Sequence, residues 1–410
     1  MSIVLPVKRL ASVTLGKMVQ PDPKSPSDIS APYLRAAHVQ PQGKIINLPE
    51  QPMWFHPSEL RALDLRRGDV VIVEGGAGYG RSAVVREDLP GWGFQNSIIR
   101  LRPLSGRADG RFLDYALQDA LTRGRVDLVT STATIPHFTA DKVSKFEVPA
   151  PALVEQRAIA DFLDRETGQI DALVSKQEEF VALLRERRSV VVSEILSRAE
   201  EDGNPPDKLH RRTRMGNGST PRSSEDRYWV DGEVPWVNSS VVNLPEVREP
   251  SRRVTKTAVL ECHLPIVSPG SILVALTGQG KTRGAATILR IESTINQHLA
   301  YIEPDKRYWV PEYLLWSLRS NYEYLRRISS ENGATKGGLT VGDLRALRLA
   351  MPPVHKQHQL LAEVAAATER VDSLIAKARE HIMFTKERRA ALITAAVGGQ
   401  IDARTFQKAG

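Results

Sequence analysis

Two segments of the chain align at a constant offset of 201 residues. Pro151, Glu155, Gln156, Ile170, Asp171, Leu173, Lys176, Glu186, Arg187 and Arg188 meet Pro352, Lys356, Gln357, Val371, Asp372, Leu374, Lys377, Glu387, Arg388 and Arg389. The offset also holds upstream, where Pro103 meets Pro304 and the run Phe112 to Leu117 meets Tyr313 to Leu318. The 410 residues therefore form a tandem duplication of a unit of about 200 residues. Such a chain is built to present two similar surfaces.

Within each unit the hydrophobic period switches once. From about Leu10 to Pro149 short β-rich runs such as Asp69 to Val73 and Ser97 to Leu101 are punctuated by Gly and Pro, with one helical stretch over 111–125. The second copy repeats this with Ser271 to Val274, Gln297 to Ile302 and a helix over 311–327, which Pro311 suits at its first turn. Beyond Pro149 the pattern is helical for some 45 residues. Ile159, Leu163, Ile170, Leu173, Phe180, Leu184 and Val191 follow heptad spacing, as do Leu360, Val364, Ala367, Val371 and Leu374. The plain reading is a pair of long helices packed on each other, its seam interrupted by Glu166, Gln177, Arg187, His381 and Arg388. Asp202-Gly203-Asn204-Pro205-Pro206 ends the first helix and Val397-Gly398-Gly399 the second.

Composition excludes several classes. At 41% hydrophobic and 25% charged the chain is expected to be globular rather than disordered. The single Cys262 can form no internal disulfide and has no zinc-ligand spacing around it, which points to a reducing, cytoplasmic setting. No apolar run reaches the roughly 18 residues of a membrane span, and the start lacks a signal-peptide core. A net charge of +8 favours a polyanionic partner.

These features resemble the specificity (S) subunit of type I restriction-modification systems. The resemblance is carried by the helix entry Val148-Pro149-Ala150-Pro151-Ala152-Leu153-Val154-Glu155-Gln156, by Met351-Pro352-Pro353-Val354-His355-Lys356-Gln357, and by the terminal segment from Ala390 to Asp402. The second entry departs from the family's usual proline-leucine-x-Glu-Gln pattern at His355-Lys356-Gln357. The resemblance implies an α+β chain with target-recognition domains over 1–150 and 204–350, and with conserved spacer helices over 151–203 and 351–410 that pack as an antiparallel coiled coil. Each recognition domain is expected to read one half of a bipartite, asymmetric site in double-stranded DNA. It also implies two modification (methyltransferase) subunits and restriction (translocase/nuclease) subunits as partners, which carry S-adenosylmethionine, ATP and Mg. The chain itself would bind no cofactor or metal and catalyse nothing.

Two glycine-rich loops need weighing. Glu74-Gly75-Gly76-Ala77-Gly78-Tyr79-Gly80 and Thr277-Gly278-Gln279-Gly280-Lys281-Thr282 suggest nucleotide loops, but Ala275 stands where a P-loop needs its first Gly, and the first copy has no Lys. They read as β-β connections, either purely structural or reaching DNA through Tyr79, Arg81, Gln279, Lys281 and Arg283. Arg35 and His38 align with Asn238 and Val241, and Ala36 with Ser239, so a shared strand context carries changed polar chemistry. Two modules reading different sequences would show this, as would drift on an unused surface. Thr134 against Thr335-Lys336 reads equally as a phosphate contact or a turn cap. Asn204-Pro205-Pro206-Asp207 echoes an amino-methyltransferase motif but lacks its aromatic residue and reads as a helix stop, and the nine histidines form no catalytic arrangement. The rival classes are a coiled-coil interaction or oligomerisation protein with incidental basic charge, and a fused methyltransferase-recognition enzyme, for which no catalytic domain has room.

Overall fold

The computed structural model describes residues 3–49, 51–130, 136–201, 204–278, 281–331 and 338–401. The chain divides into two compact units. One comprises residues 1–178 with 380–410, the other 179–379.

In the first unit an antiparallel sheet runs in the order Ala11–Leu15, Ile98–Pro103, Val70–Val73, Ser82–Val84. All four residues of Val70–Val73 are buried. Val70 and Ile72 join Phe112, Leu113 and Phe138 on one face, while Val71 and Val73 join Leu34, Phe55 and Phe94 on the other. Burial on both faces explains a continuous apolar run instead of alternation, and each such side chain contributes roughly 1.5–3 kcal/mol. A smaller sheet, Pro52–Phe55 with Ile29–Leu34 and Gly93–Phe94, covers the second face. The helix Gly110–Thr122 covers the first, its N-terminus capped by Asp109, which accepts from the Arg111 N–H at 2.9 Å.

The second unit repeats the plan. Its main sheet runs Thr213–Asn217, Leu299–Pro304, Ile272–Ala275, Ala286–Leu289, Glu246–Val247, and its smaller sheet joins Val234–Val237 to Arg252–Val254 and Thr294–Ile295. Where the sequence suggested one helix over 311–327, the chain forms two, Pro311–Ser320 and Tyr322–Glu331, separated at Asn321. Short strands close each module at the root of its helix: Pro6 pairs with Glu147 in the first and Asp207 with Leu349 in the second.

The long helices span Leu153–Glu201 and Val354–Val397. Each begins on a buried glutamine that ties it to its module. The Gln156 amide donates to the carbonyls of Pro151 (2.9 Å) and Arg107 (3.1 Å) and accepts from the Asp109 N–H (3.0 Å). Gln357 donates to Pro352 (2.8 Å) and Tyr308 (2.6 Å) and accepts from Val310 (2.8 Å). All three partners recur at the offset of 201.

In both units the helices run antiparallel. Asp171 meets Arg389 and Gln177 meets His381 in the first, and Arg188 meets Asp372 and Arg198 meets Glu363 in the second. Of the expected seam, Ile159, Leu163, Leu184, Leu360 and Val364 are buried, and Ile170 and Val371 partly so. Leu173 and Leu374 are not in it: they are 43% and 40% exposed, and the seam passes one residue later through Val174 and Ile375. Phe180 likewise gives way to Val181. The reason is the buried pair Thr167 and Thr368, whose hydroxyls donate to the carbonyls of Leu163 (2.6 Å) and Val364 (2.8 Å). A threonine that satisfies itself on the preceding turn can hold a core position, and it sets the register that Leu173 and Phe180 obscure. The first helix ends with the Asn204 amide donating to the Ala199 carbonyl at 3.2 Å, and the second just before Gly399 at φ +74°. Among the described residues no helix is long and apolar enough to cross a membrane.

Candidate nucleic-acid interface

Both glycine-rich loops are hairpin connections. The first joins antiparallel strands registered Val70 to Val84, the second joins strands registered Ile272 to Ile288. Gly76 and Gly80 take φ of +77° and +76°, and Gly278 and Gly284 take +129° and +83°, conformations that favour glycine. Neither loop leads into a helix, so no helix N-terminus stands behind it to hold a phosphate. Among the described residues no group of three His, Cys, Asp or Glu could hold a metal ion.

Backbone hydrogen bonds gather segments that are distant in sequence around each hairpin. In the first unit Glu74 N–H donates to Ser97 (2.9 Å), Phe138 N–H to Glu74 (2.8 Å), and Gln95 N–H to Leu34 (3.0 Å). In the second, Leu276 N–H donates to His298 (2.9 Å), Leu339 N–H to Leu276 (2.8 Å), and Asn296 N–H to Val237 (3.1 Å). The hairpin, the connection at 95–97 or 296–298, the segment that begins at His137 or Gly338, and the turn at Arg35 or Asn238 thus share one edge of each unit.

The side chains named from sequence divide sharply. Arg35 starts a 3-10 turn, and its guanidinium donates to the Gln51 side chain. His38 is 4% exposed, its Nδ1 accepts the Arg35 N–H at 3.1 Å, and burial holds its pKa below the usual imidazole value, so this nitrogen caps its own turn, while Nε2 is buried without a hydrogen-bond partner among the described residues. Tyr79 is half-buried and donates to Asp127, a bond that pushes its hydroxyl pKa up. Arg81 is half-buried and has no ion-pair partner among the described residues. In the second unit the Asn238 side chain accepts the Ser240 N–H at 2.9 Å, which leaves Ser239 half-buried within the turn. The Lys281 side chain is exposed while its carbonyl accepts from Tyr322 at 2.8 Å, and Arg283 donates to Ser330 Oγ at 3.1 Å. Thr134, Gln279, Thr335 and Lys336 lie outside the described residues.

Other polar groups gather at these edges to which the sequence assigned no role in binding. The first unit adds the Lys17–Glu59 ion pair, and the His137 ring set against Gly75, where a Cβ would lie 2.6 Å from Nδ1. The second adds Thr277 bonded to His298 at 2.9 Å and Thr220 bonded to Gln297. No local pattern marks these residues, because their proximity arises from strand pairing.

Residues 62–179 and 214–373 match the family described as type I restriction modification DNA specificity domain. The chain belongs to that family. Among curated relatives it is 22% identical over 307 residues to the specificity subunit of the Escherichia coli type I restriction enzyme EcoBI, covering 68% of this chain and 62% of that one. It is 19% identical over 146 residues to the E. coli EcoR124I/EcoR124II specificity subunit, 35% of this chain and 36% of the relative. These matches span less than two thirds of each relative. A chain from a structure of a type I R-M system, solved to explain complex assembly and conformational transition, superposes with a TM-score of 0.62 at 17% identity, over 96% of this chain and 97% of that one. The type I specificity fold therefore extends over both modules and both long helices.

Proposed function

We propose that this chain is the DNA-specificity subunit of a type I restriction-modification complex, with each module reading one half of a bipartite, asymmetric site. The observation that carries this reading is the pairing of conserved frame with divergent chemistry. The same backbone bonds build the edge at Glu74 and Leu276, yet one copy surrounds it with Glu74, His137 and Lys17–Glu59 and the other with Thr277, Gln297 and His298. Phosphate contacts by Arg81, Lys281 and Arg283 would position the duplex, and the divergent polar groups would specify bases.

In this reading the long helices set the separation of the half-sites and dock two modification subunits, to which restriction subunits attach. S-adenosylmethionine, ATP and Mg belong to those partners, and the chain catalyses nothing itself. The assembly works in the cytoplasm, on chromosomal and invading DNA. Mapping adenine methylation in a host that carries the chain with its modification subunit tests the proposal. Two constant half-sequences separated by a fixed non-specific spacer are expected. Methylation independent of the chain, or transferred by the purified chain alone, would refute it.

A further inference from the structure

Glu74 occupies the junction of the hairpin, the 95–97 connection and the chain after His137, fixed by its two backbone bonds to Ser97 and Phe138. The same two bonds are made in the second copy by Leu276, which is buried at 6% exposure. The fold therefore asks nothing polar of this position. Glu74 is nevertheless a half-buried carboxylate, and among the described residues no side chain donates a hydrogen bond or an ion pair to it. Burial pushes its pKa up, opposed only by the charge of the nearby His137. A partly desolvated carboxylate without a donor costs stability. A donor that arrives with a ligand would satisfy it.

The neighbouring position shows the same exchange. Gly75 bridges His137, whose ring fills the space a side chain at 75 would need. At the equivalent place the second copy has Thr277 on the hairpin and Gly338 on the opposite segment, and its imidazole comes from His298. Among the described residues each module thus brings one imidazole to the junction, from a different segment, and only the first adds a carboxylate.

We propose that Glu74 is a specificity-determining residue of the first module, accepting a hydrogen bond from the exocyclic amino group of a cytosine or an adenine in the major groove. An ionised carboxylate can only accept hydrogen bonds. Phosphates repel it, and the major-groove edges of guanine and the O4 of thymine offer acceptors alone, so an amino-bearing base is the partner that satisfies it. The inference rests on the reading of the chain as a DNA-specificity subunit.

The test uses the full chain with its modification subunits, selecting from a duplex library randomised at both half-sites, for the wild type and for Glu74→Gln and Glu74→Ala. Glu74→Ala is expected to lose discrimination at one base pair of one half-site by roughly five- to 150-fold. Glu74→Gln is expected to relax the preference at the same base pair, since an amide both donates and accepts. The other half-site serves as an internal control of folding and remains unchanged. Affinity for non-specific duplex should equal or exceed the wild-type value, because a negative charge has been removed, the opposite of what loss of a phosphate contact produces. The base lost from the selected consensus shows whether cytosine or adenine is read. Unchanged selection by both variants, or loss spread over both half-sites with weaker non-specific binding, overturns the inference. If the wild type selects no sequence, the parent reading fails and this one falls with it.

Discussion

Asp171 and Arg389, 218 residues apart in sequence, form an ion pair between the two long helices, with Nε to Oδ1 at 3.0 Å. The pair recurs at the offset of 201 as Asp372 and Arg188, at 2.7 Å. The two copies differ in burial. The Arg389 side chain is 8% exposed and also donates to the Gln42 carbonyl at 3.2 Å, whereas Arg188 and Asp372 are 26% and 50% exposed. Asp171→Asn therefore leaves a buried guanidinium short of its charged partner and should cost roughly 1.5–3 kcal/mol. Asp372→Asn removes a pair open to solvent and should cost under about 1 kcal/mol. Urea unfolding of the two variants measures the difference, and equal losses would contradict the argument from burial.

Gln156 and Gln357 tie each helix to its module through three hydrogen bonds. Replacing either by Ala leaves one N–H and two carbonyls to find water in a buried setting. A loss of roughly 2–4 kcal/mol is expected, as for one or two unmet buried groups. Thermal unfolding of the full chain reports it, and the two substitutions should have similar effects because their partners are equivalent.

Asp114 provides the clearest pH dependence. It is 3% exposed, accepts from Ser82 Oγ at 2.7 Å, and burial raises its pKa from 3.8 to about 6, partly offset by Arg86 and Arg389. A carboxyl that holds its proton more tightly in the folded chain takes up protons on folding between about pH 4 and 6. Its contribution is thus most favourable below that window and declines as the pH rises through it. The full change amounts to about 3 kcal/mol. Asp114→Asn should remove this dependence, so the stability difference between variant and wild type should shift in favour of the variant from pH 4 to 6.5. Urea unfolding across that range checks it, and a constant difference would show that the carboxyl titrates normally. The second copy places Leu315 here, also buried, which shows that the fold does not need the acid.

Much of this architecture was legible in the sequence because the duplication made every local signal appear twice. The strand Val70–Val73, the glycines needed for positive φ at the hairpins, and the helix stop at Asn204 all rest on local chemistry. The helix seam was displaced at Leu173 and Leu374 because exposed leucines outweighed Thr167 and Thr368, whose fitness for a core position depends on a hydroxyl bond within the helix. The turn-capping role of His38 was hidden for a related reason, because it depends on burial and on a bond to the Arg35 N–H that no local pattern marks. Glu74 was visible only as the start of a glycine-rich loop, and its meeting with His137, like that of Thr277 with His298, was not legible, since only long-range strand pairing brings these residues together.

Lys281 and Arg283 follow the second hairpin, and the Lys281 side chain is exposed. If Lys281 meets a phosphate, Lys281→Ala should weaken binding to all duplexes alike and make the slope of log affinity against log salt shallower by about 0.9. Titrations with cognate and scrambled duplexes at several salt concentrations measure both quantities. Loss confined to the cognate site would assign Lys281 to base reading, and an unchanged slope and affinity would make the hairpin structural.

The long helices offer a test of how the half-site spacing is set. Both pass from one compact unit to the other near Glu178 and Arg379, and a heptad inserted after each of these residues keeps the seam in phase. Seven residues add roughly 10 Å at about 1.5 Å each, which is about three base pairs at about 3.4 Å per step. The half-sequences should stay the same while the spacer grows by that amount. Three base pairs also rotate the second half-site by about a third of the roughly 10.5-base-pair helical turn, so activity is expected to suffer. Three inserted heptads add roughly 31 Å, or about nine base pairs, and bring the half-site back toward its original face. The longer insertion should therefore be the more active of the two, with a correspondingly longer spacer in the methylated sites. Methylation at the original spacing by either variant would show that the helices are not the ruler, and the separation would have to be set by the modification subunits.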